Sequence, residues 1–201
     1  MTSAGEVRTE DACGGRAVRA DARRNRERIL EAAHAVFASR GVSVPIDDVA
    51  REAGVGVGTL YRHFPTKEAL FEAVVIGRLE QMVAAAEAAA TAEDPGGAFF
   101  DYLGVLTRQI VEKRDLGDAL EQAGVDLQAT VAPITARLQD ALETLLENAQ
   151  RAGAVRNDVS ATELVGLVLG TCKVRARLGT AAPDPDRMLA VVCDGLRATP
   201  A

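Results

Sequence analysis

The 201-residue sequence is poor in aromatics (3%), has two histidines and three cysteines, and contains no long hydrophobic run. Each shortage removes a class of protein. HExxH, GxSxG, Walker and dinucleotide-binding contexts are absent, and two histidines assemble no catalytic constellation, so an enzyme is not expected. Cys13, Cys172 and Cys193 show no CxxC or Cys/His spacing, so no metal and no other cofactor is expected. They read as reduced, inert thiols, with a redox switch at Cys172, beside Lys173 and Arg175, as the alternative. The densest apolar stretch, Leu164 to Cys172, ends at Lys173 and is too short to span a bilayer, so no membrane partner is expected. The polar N-terminus lacks an apolar signal segment, which points to a cytoplasmic protein.

The chain does have abundant alanine, leucine and valine within an apolar content of 48%. Such a composition, with few alternating β-branched runs, predicts an all-α fold. The net charge of −6 is unevenly spread. Ala12 to Lys67 holds ten basic and six acidic residues, a local +4, and the remainder carries −10. A basic head on an acidic body directs a polyanion to one end of the molecule.

That head is organised around Val44 to Phe64, VPIDDVAREAGVGVGTLYRHF. Ile46, Val49, Ala50 and Ala53 form one apolar face of a short helix. Pro45 suits its first turn, and Asp47 and Asp48 complement the positive end of its dipole. Gly54 stops it, and a second short helix from about Val57 to His63 turns Leu60 inward. This is the spacing of a helix-turn-helix, whose second helix enters the DNA major groove. The glycines at 54, 56 and 58 also resemble a nucleotide-binding loop, but the preceding residues are charged and helical in period, and no GK[ST] follows. Upstream, a helix over 22–39 carries Ile29, Ala33, Val36 and Phe37 inward, with Gly41 as its cap. Residues 1–21 read as a disordered arm. Arg23, Arg24 and Arg26, with Arg16, Arg19 and Arg28, are candidates to reach phosphates or the minor groove.

Gly54 to Val74, GVGVGTLYRHFPTKEALFEAV, resembles the tetracycline-repressor-like (TetR) family of bacterial regulators, and the resemblance extends over about Arg24 to Val75. It implies a three-helix head, a variable ligand-binding body, a homodimer, and repression relieved by a small-molecule effector. It also implies DNA contacts at Thr59, Tyr61, His63 and Lys67, matching the reading of Thr59 against a base edge and the others against phosphates. Two positions depart from many relatives. Gly56 stands where a capping serine is common, and Val57 stands where a lysine is common, leaving an apolar contact in place of a cation.

The resulting domains are the arm at 1–21, the DNA-binding head at 22–67 and an effector-binding and dimerisation body at 68–201, with about nine helices in all. Pro65 ends the third helix and Thr66 caps the fourth; Lys67 opposes the dipole there, which argues against a stabilising role. Body helices are expected at about 97–113, 115–123, 127–152, 160–178 and 185–197, with Ser160 and Glu163 forming a capping box. The 160–178 helix is apolar nearly all round, so Val165, Gly166, Leu169 and Gly170, with Met188, Val191 and Val192 of the last helix, are candidates for a dimer interface. Phe99, Phe100, Tyr102, Leu103, Leu106, Leu138 and Leu142 are candidates to line an effector cavity, though plain core is the readier account of each. The expected partners are thus a double-stranded DNA operator, a small-molecule effector and a second copy of the chain. The rival reading is a helical protein-interaction module that has lost specific DNA binding.

Overall fold

The computed structural model describes residues 11–41, 43–122, 127–178 and 184–198. Among these, eight helices are present: α1 (Asp11–Arg40), α2 (Ile46–Glu52), α3 (Val57–His63), α4 (Lys67–Ala90), α5 (Pro95–Gln122), α6 (Gln128–Arg151), α7 (Ala161–Leu178) and α8 (Pro185–Leu196). The one extended pairing among the described residues is an isolated antiparallel bridge between Val155 and Arg197. No helix among them is long and apolar enough to cross a membrane. Two expectations are corrected. The helices expected at 97–113 and 115–123 are one, α5, because Lys113-Arg114-Asp115 contains no proline or glycine to break it. α1 begins at Asp11, inside the expected arm, where alanines and arginines favour helix and no proline intervenes; Gly14 and Gly15 each cost about 1 kcal/mol relative to alanine. The arm's first ten residues lie outside the described residues.

The chain divides into two compact units, Met1–Val74 and Val75–Ala201. The division lies within α4, seven residues later than the expected head boundary. Its cause is the packing of the first turns of α4: Leu70, Phe71 and Val74 are buried, and the Phe71 ring lies 5.3 Å from that of Phe37 on α1. Ile29, Ala32, Ala33 and Val36 of α1, Val49 and Ala50 of α2, Leu60 of α3 and Phe64 complete the head core. Gly41 closes α1 at φ 75°, its N–H donating to the Phe37 carbonyl at 3.0 Å. Asp48 is gripped by Arg40 and by Arg51, the latter at 2.8 Å.

In the body, α5 packs against α6, α7 and α8. Phe99, Leu103, Leu145, Ala149 and Leu164 are fully buried together with Val83 of α4. The buried Tyr102 hydroxyl donates to the Met82 carbonyl at 3.0 Å, and burial pushes its pKa up to about 12. Asp94 caps α5 by accepting from the Gly97 N–H at 3.0 Å, and Asp184 caps α8 the same way from Asp186. The expected capping box opens α7: Glu163 accepts from the Ser160 N–H at 2.8 Å, and the Glu163 N–H donates to the Ser160 hydroxyl at 3.3 Å. Ser160→Ala is therefore expected to destabilise the body by about 1 kcal/mol, readable as a lower melting temperature.

Acid should weaken both units. The hydrogen bond from Arg40 holds the Asp48 carboxyl below its ordinary value, and the Ser160 N–H does the same for Glu163. A carboxyl depressed in the folded state contributes stability above its unfolded pKa and loses it as pH falls through the folded one. The melting temperature is thus expected to fall progressively below about pH 4, and Asp48→Asn to flatten that fall.

Candidate nucleic-acid interface

The interface is built by a turn and one short helix. α2 ends in a Schellman motif: the Val55 N–H donates to the Ala50 carbonyl at 3.0 Å and the Gly54 N–H to that of Arg51 at 3.1 Å. Gly54 takes φ 63°, a conformation natural to glycine. Gly56 then serves as N-cap of α3 without a side-chain bond, its carbonyl accepting from Thr59 and Leu60. α3 buries Leu60 alone among its seven residues. Flanking Leu60 on one side, Val57 and Tyr61 are 38% and 44% exposed, and on its other side Thr59 and His63 are half-buried. The structure therefore groups four of the expected DNA-contacting residues on one helix, with the side chains of Val57 and Tyr61 in solvent.

Lys67 behaves differently from expectation. Its ammonium donates to the Val44 carbonyl at 2.6 Å, tying the start of α4 to the segment that leads into α2. The charge does oppose the dipole, but the long side chain carries it onto a carbonyl 23 residues away, so the residue has a structural role after all. An ammonium has three donors, and Val44 takes one. Thr66 caps α4 as expected, accepting from the Ala69 N–H at 3.1 Å.

The arginines of α1 are engaged in separate ways. Arg23 pairs with Glu27 at 2.9 Å and Arg24 with Asp21, both in solvent, and the Arg26 guanidinium lies over the Phe64 ring at 5.2 Å. Exposed helix-surface pairs of this kind are weak and leave the cations available to a stronger anion. Arg28, grouped with these by sequence, donates instead to the Ala53 and Gly54 carbonyls at 2.6 and 3.3 Å. The side chains of Arg16 and Arg19 lie outside the described residues. Arg62 is a further cation on α3, exposed and bonded to the Gly58 carbonyl at 3.3 Å. Its place on the expected recognition helix was the signal that could have marked it.

In the body, Phe99, Tyr102, Leu103, Leu106 and Leu142 all belong to the core, with Phe100 and Leu138 half-buried against it. The expected interface residues separate into two groups. Val165 and Val192 lie against their own chain's core and Met188 is half-buried, whereas Gly166, Leu169, Gly170 and Val191 are exposed. Burial raises the Cys193 thiol above its ordinary value, with Arg197 partly opposing, so this cysteine is a poor nucleophile. Cys13 and Cys172 lie outside the residues whose side chains are described. Among the described residues, no group of three or more histidine, cysteine, aspartate or glutamate side chains could hold a metal.

Comparison with known proteins agrees with this geometry. Residues 29–74 match the profile of bacterial regulatory proteins of the tetR family, and residues 94–198 match that of the SbtR-like transcriptional regulator C-terminal domain. An HTH-type transcriptional regulator of Staphylococcus aureus is 48% identical over 54 residues, spanning 26% of this chain and 29% of that regulator's length. The crystal structure of a TetR transcription regulatory protein from Mycobacterium vanbaalenii shares 40% identity, covers 90% of this chain and 99% of its own, and superposes with a TM-score of 0.76. The TetR transcriptional regulator SCO0520 of Streptomyces coelicolor shares 32% identity over 87% of this chain and 99% of its own, with a TM-score of 0.72. With a helix-turn-helix presenting α3 to solvent and both units matched to their family profiles, the chain belongs to the TetR family of DNA-binding transcriptional regulators, which are transcription factors and not enzymes.

Proposed function

We propose that this regulator is a cytoplasmic repressor that binds a pseudo-palindromic operator as a homodimer and is released by a small-molecule effector. The observation that carries the reading is α3: one buried leucine anchors it, with Val57 and Tyr61 exposed on one side of that anchor and Thr59 and His63 half-buried on the other. Thr59 reads a base edge, Val57 makes an apolar contact, and Tyr61, His63 and Lys67 hold phosphates, with Arg23, Arg24 and Arg26 supplying further charge. A single recognition helix covers half a palindrome. Two copies placing theirs about 34 Å apart read the whole. Gly166 and Gly170 support such pairing, since a Cβ on either would meet nothing within 4 Å and a second helix has room to approach closely.

The effector enters the body around Phe99, Phe100, Tyr102, Leu103, Leu106, Leu138 and Leu142, where a mostly apolar molecule is the chemical match. Tyr102 and Thr107 are the buried polar groups of this region, and each donates to a carbonyl of its own chain. Release requires tighter binding to the conformation that fits DNA badly; equal affinity for both shifts nothing.

The test is a titration of labelled DNA from upstream of the protein's own gene, with nonspecific competitor, across salt concentrations. Competitor-resistant binding that weakens steeply with salt is expected. If selection from random duplexes also yields nothing, the interaction-module reading takes its place. Val57→Lys is expected to change the selected bases opposite that position by about 1–3 kcal/mol of preference, visible as a new consensus; an unchanged consensus overturns the assignment of Val57.

A further inference from the structure

We infer that Arg28 is a positioning residue for DNA recognition, setting the attitude of α3 by gripping the turn that precedes it. The inference rests on the reading of α3 as the helix that meets DNA. Arg28 immediately precedes Ile29, which is fully buried, on a helix that packs against both α2 and α3. The backbone that carries it is therefore held against the head core. Its Nη2 donates to the Ala53 carbonyl at 2.6 Å and the Gly54 carbonyl at 3.3 Å, the last residue of the helical end of α2 and the turn glycine itself. The guanidinium lies so close to Gly54 that a Cβ built there would sit 2.7 Å from Nη2. Gly54 thus answers two demands at once, a positive φ and a bare surface on which the guanidinium rests.

Two residues beyond this glycine, α3 begins. Within α3 only Leu60 is fully buried, so the attitude of this two-turn helix depends also on the segments at its two ends, Phe64 in the core after it and the turn before it. The turn is tied down by Arg28. A charged donor on two carbonyls is among the stronger tethers a surface side chain offers. Arg28 is also an exposed cation in a basic segment, so a direct phosphate contact is the competing role, and salt dependence separates the two. Removing one phosphate contact lowers the slope of log affinity against log salt by about 0.9, whereas a mispositioned helix weakens binding at every salt concentration alike.

The experiment uses the full-length chain and a labelled duplex bearing the sequence that the wild type selects from a random pool. Arg28→Met keeps the aliphatic stem and removes the donors; Arg28→Lys keeps the charge and loses the planar fork of donors. Arg28→Met is expected to bind about tenfold more weakly with an unchanged salt slope, and Arg28→Lys to fall between it and the wild type. Wild-type affinity in Arg28→Met, with only a lowered melting temperature, overturns the inference in favour of plain stabilisation. A salt slope reduced by one phosphate per head overturns it in favour of direct contact. Should Arg28→Met not fold, the same two readings are taken from Arg28→Gln, which is likewise uncharged. Failure of the wild type to select any sequence removes the DNA reading itself, and this inference with it, before a variant is compared.

Discussion

Leu60→Ala is expected to abolish sequence-specific DNA binding. Leu60 is fully buried and is the single side chain by which α3 enters the head core. Removing a buried leucine side chain costs about 2–5 kcal/mol, through lost transfer energy and the cavity left behind. The loss falls on a helix of seven residues, well short of the 12–15 or so at which an isolated helix holds its own shape in water. α3 therefore owes its helicity to packing, and losing the anchor frees Val57, Thr59, Tyr61 and His63 from the fixed positions the helix gives them. Circular dichroism melting and fluorescence anisotropy with a selected duplex test this together. Tyr61→Phe is the control: its side chain is 44% exposed, so the melting temperature should hold while affinity drops through the lost hydroxyl. Wild-type melting and affinity in Leu60→Ala would show that α3 is held by something else.

The head was legible because its determinants are local. Gly41 and Gly54 take the positive φ that helix ends favour, and Leu60 and the Ile46–Ala50 stripe lie where their spacing puts them. Thr66 and the Ser160–Glu163 pair cap helices within three residues of themselves. What sequence did not convey depends on long side chains reaching across the fold. Arg28 and Lys67 look like two more cations in a basic head, yet each ends on backbone carbonyls more than 20 residues away. No periodicity encodes such a contact. The start of α1 and the continuity of α5 were missed for a different reason. Glycine pairs and charged stretches are only weak helix breakers, and a helix already formed on one side propagates through them.

The body illustrates a second limit. A core and a cavity lining share one sequence pattern, apolar residues at helical spacing, so Phe99, Leu103 and Leu142 could be placed inside but not assigned to a ligand. In the structure they are core, and their role toward an effector belongs to the proposed function. α7 is more informative. Leu164 and Val168 point inward and are buried, while Leu167 and Leu169 are exposed on the same helix and Val191 is 66% exposed on α8, which packs beside it. Scattered apolar residues on a surface are ordinary; these fall on two adjoining helices, with two glycines among them that face open space.

Leu169→Arg combined with Val191→Arg is accordingly expected to yield a folded monomer with much weakened operator binding. Both side chains are exposed in the single chain, so the substitutions should leave its helical content and core intact. In a dimer through α7 and α8 they would bury unpaired charges, at a cost of several kcal/mol each that the interface cannot recover. Losing the partner removes the second head, and with it the intramolecular second binding step that raises avidity by about 10²–10⁴ over one head alone. Sedimentation should therefore report one chain where the wild type reports two. Affinity for the full palindrome should fall at least a hundredfold or so, while affinity for an isolated half-site stays where it was. A variant that still sediments as a dimer would place the interface on another surface. One that is monomeric yet binds the palindrome at full strength would mean that the two heads engage DNA independently, and that pairing serves something other than operator recognition.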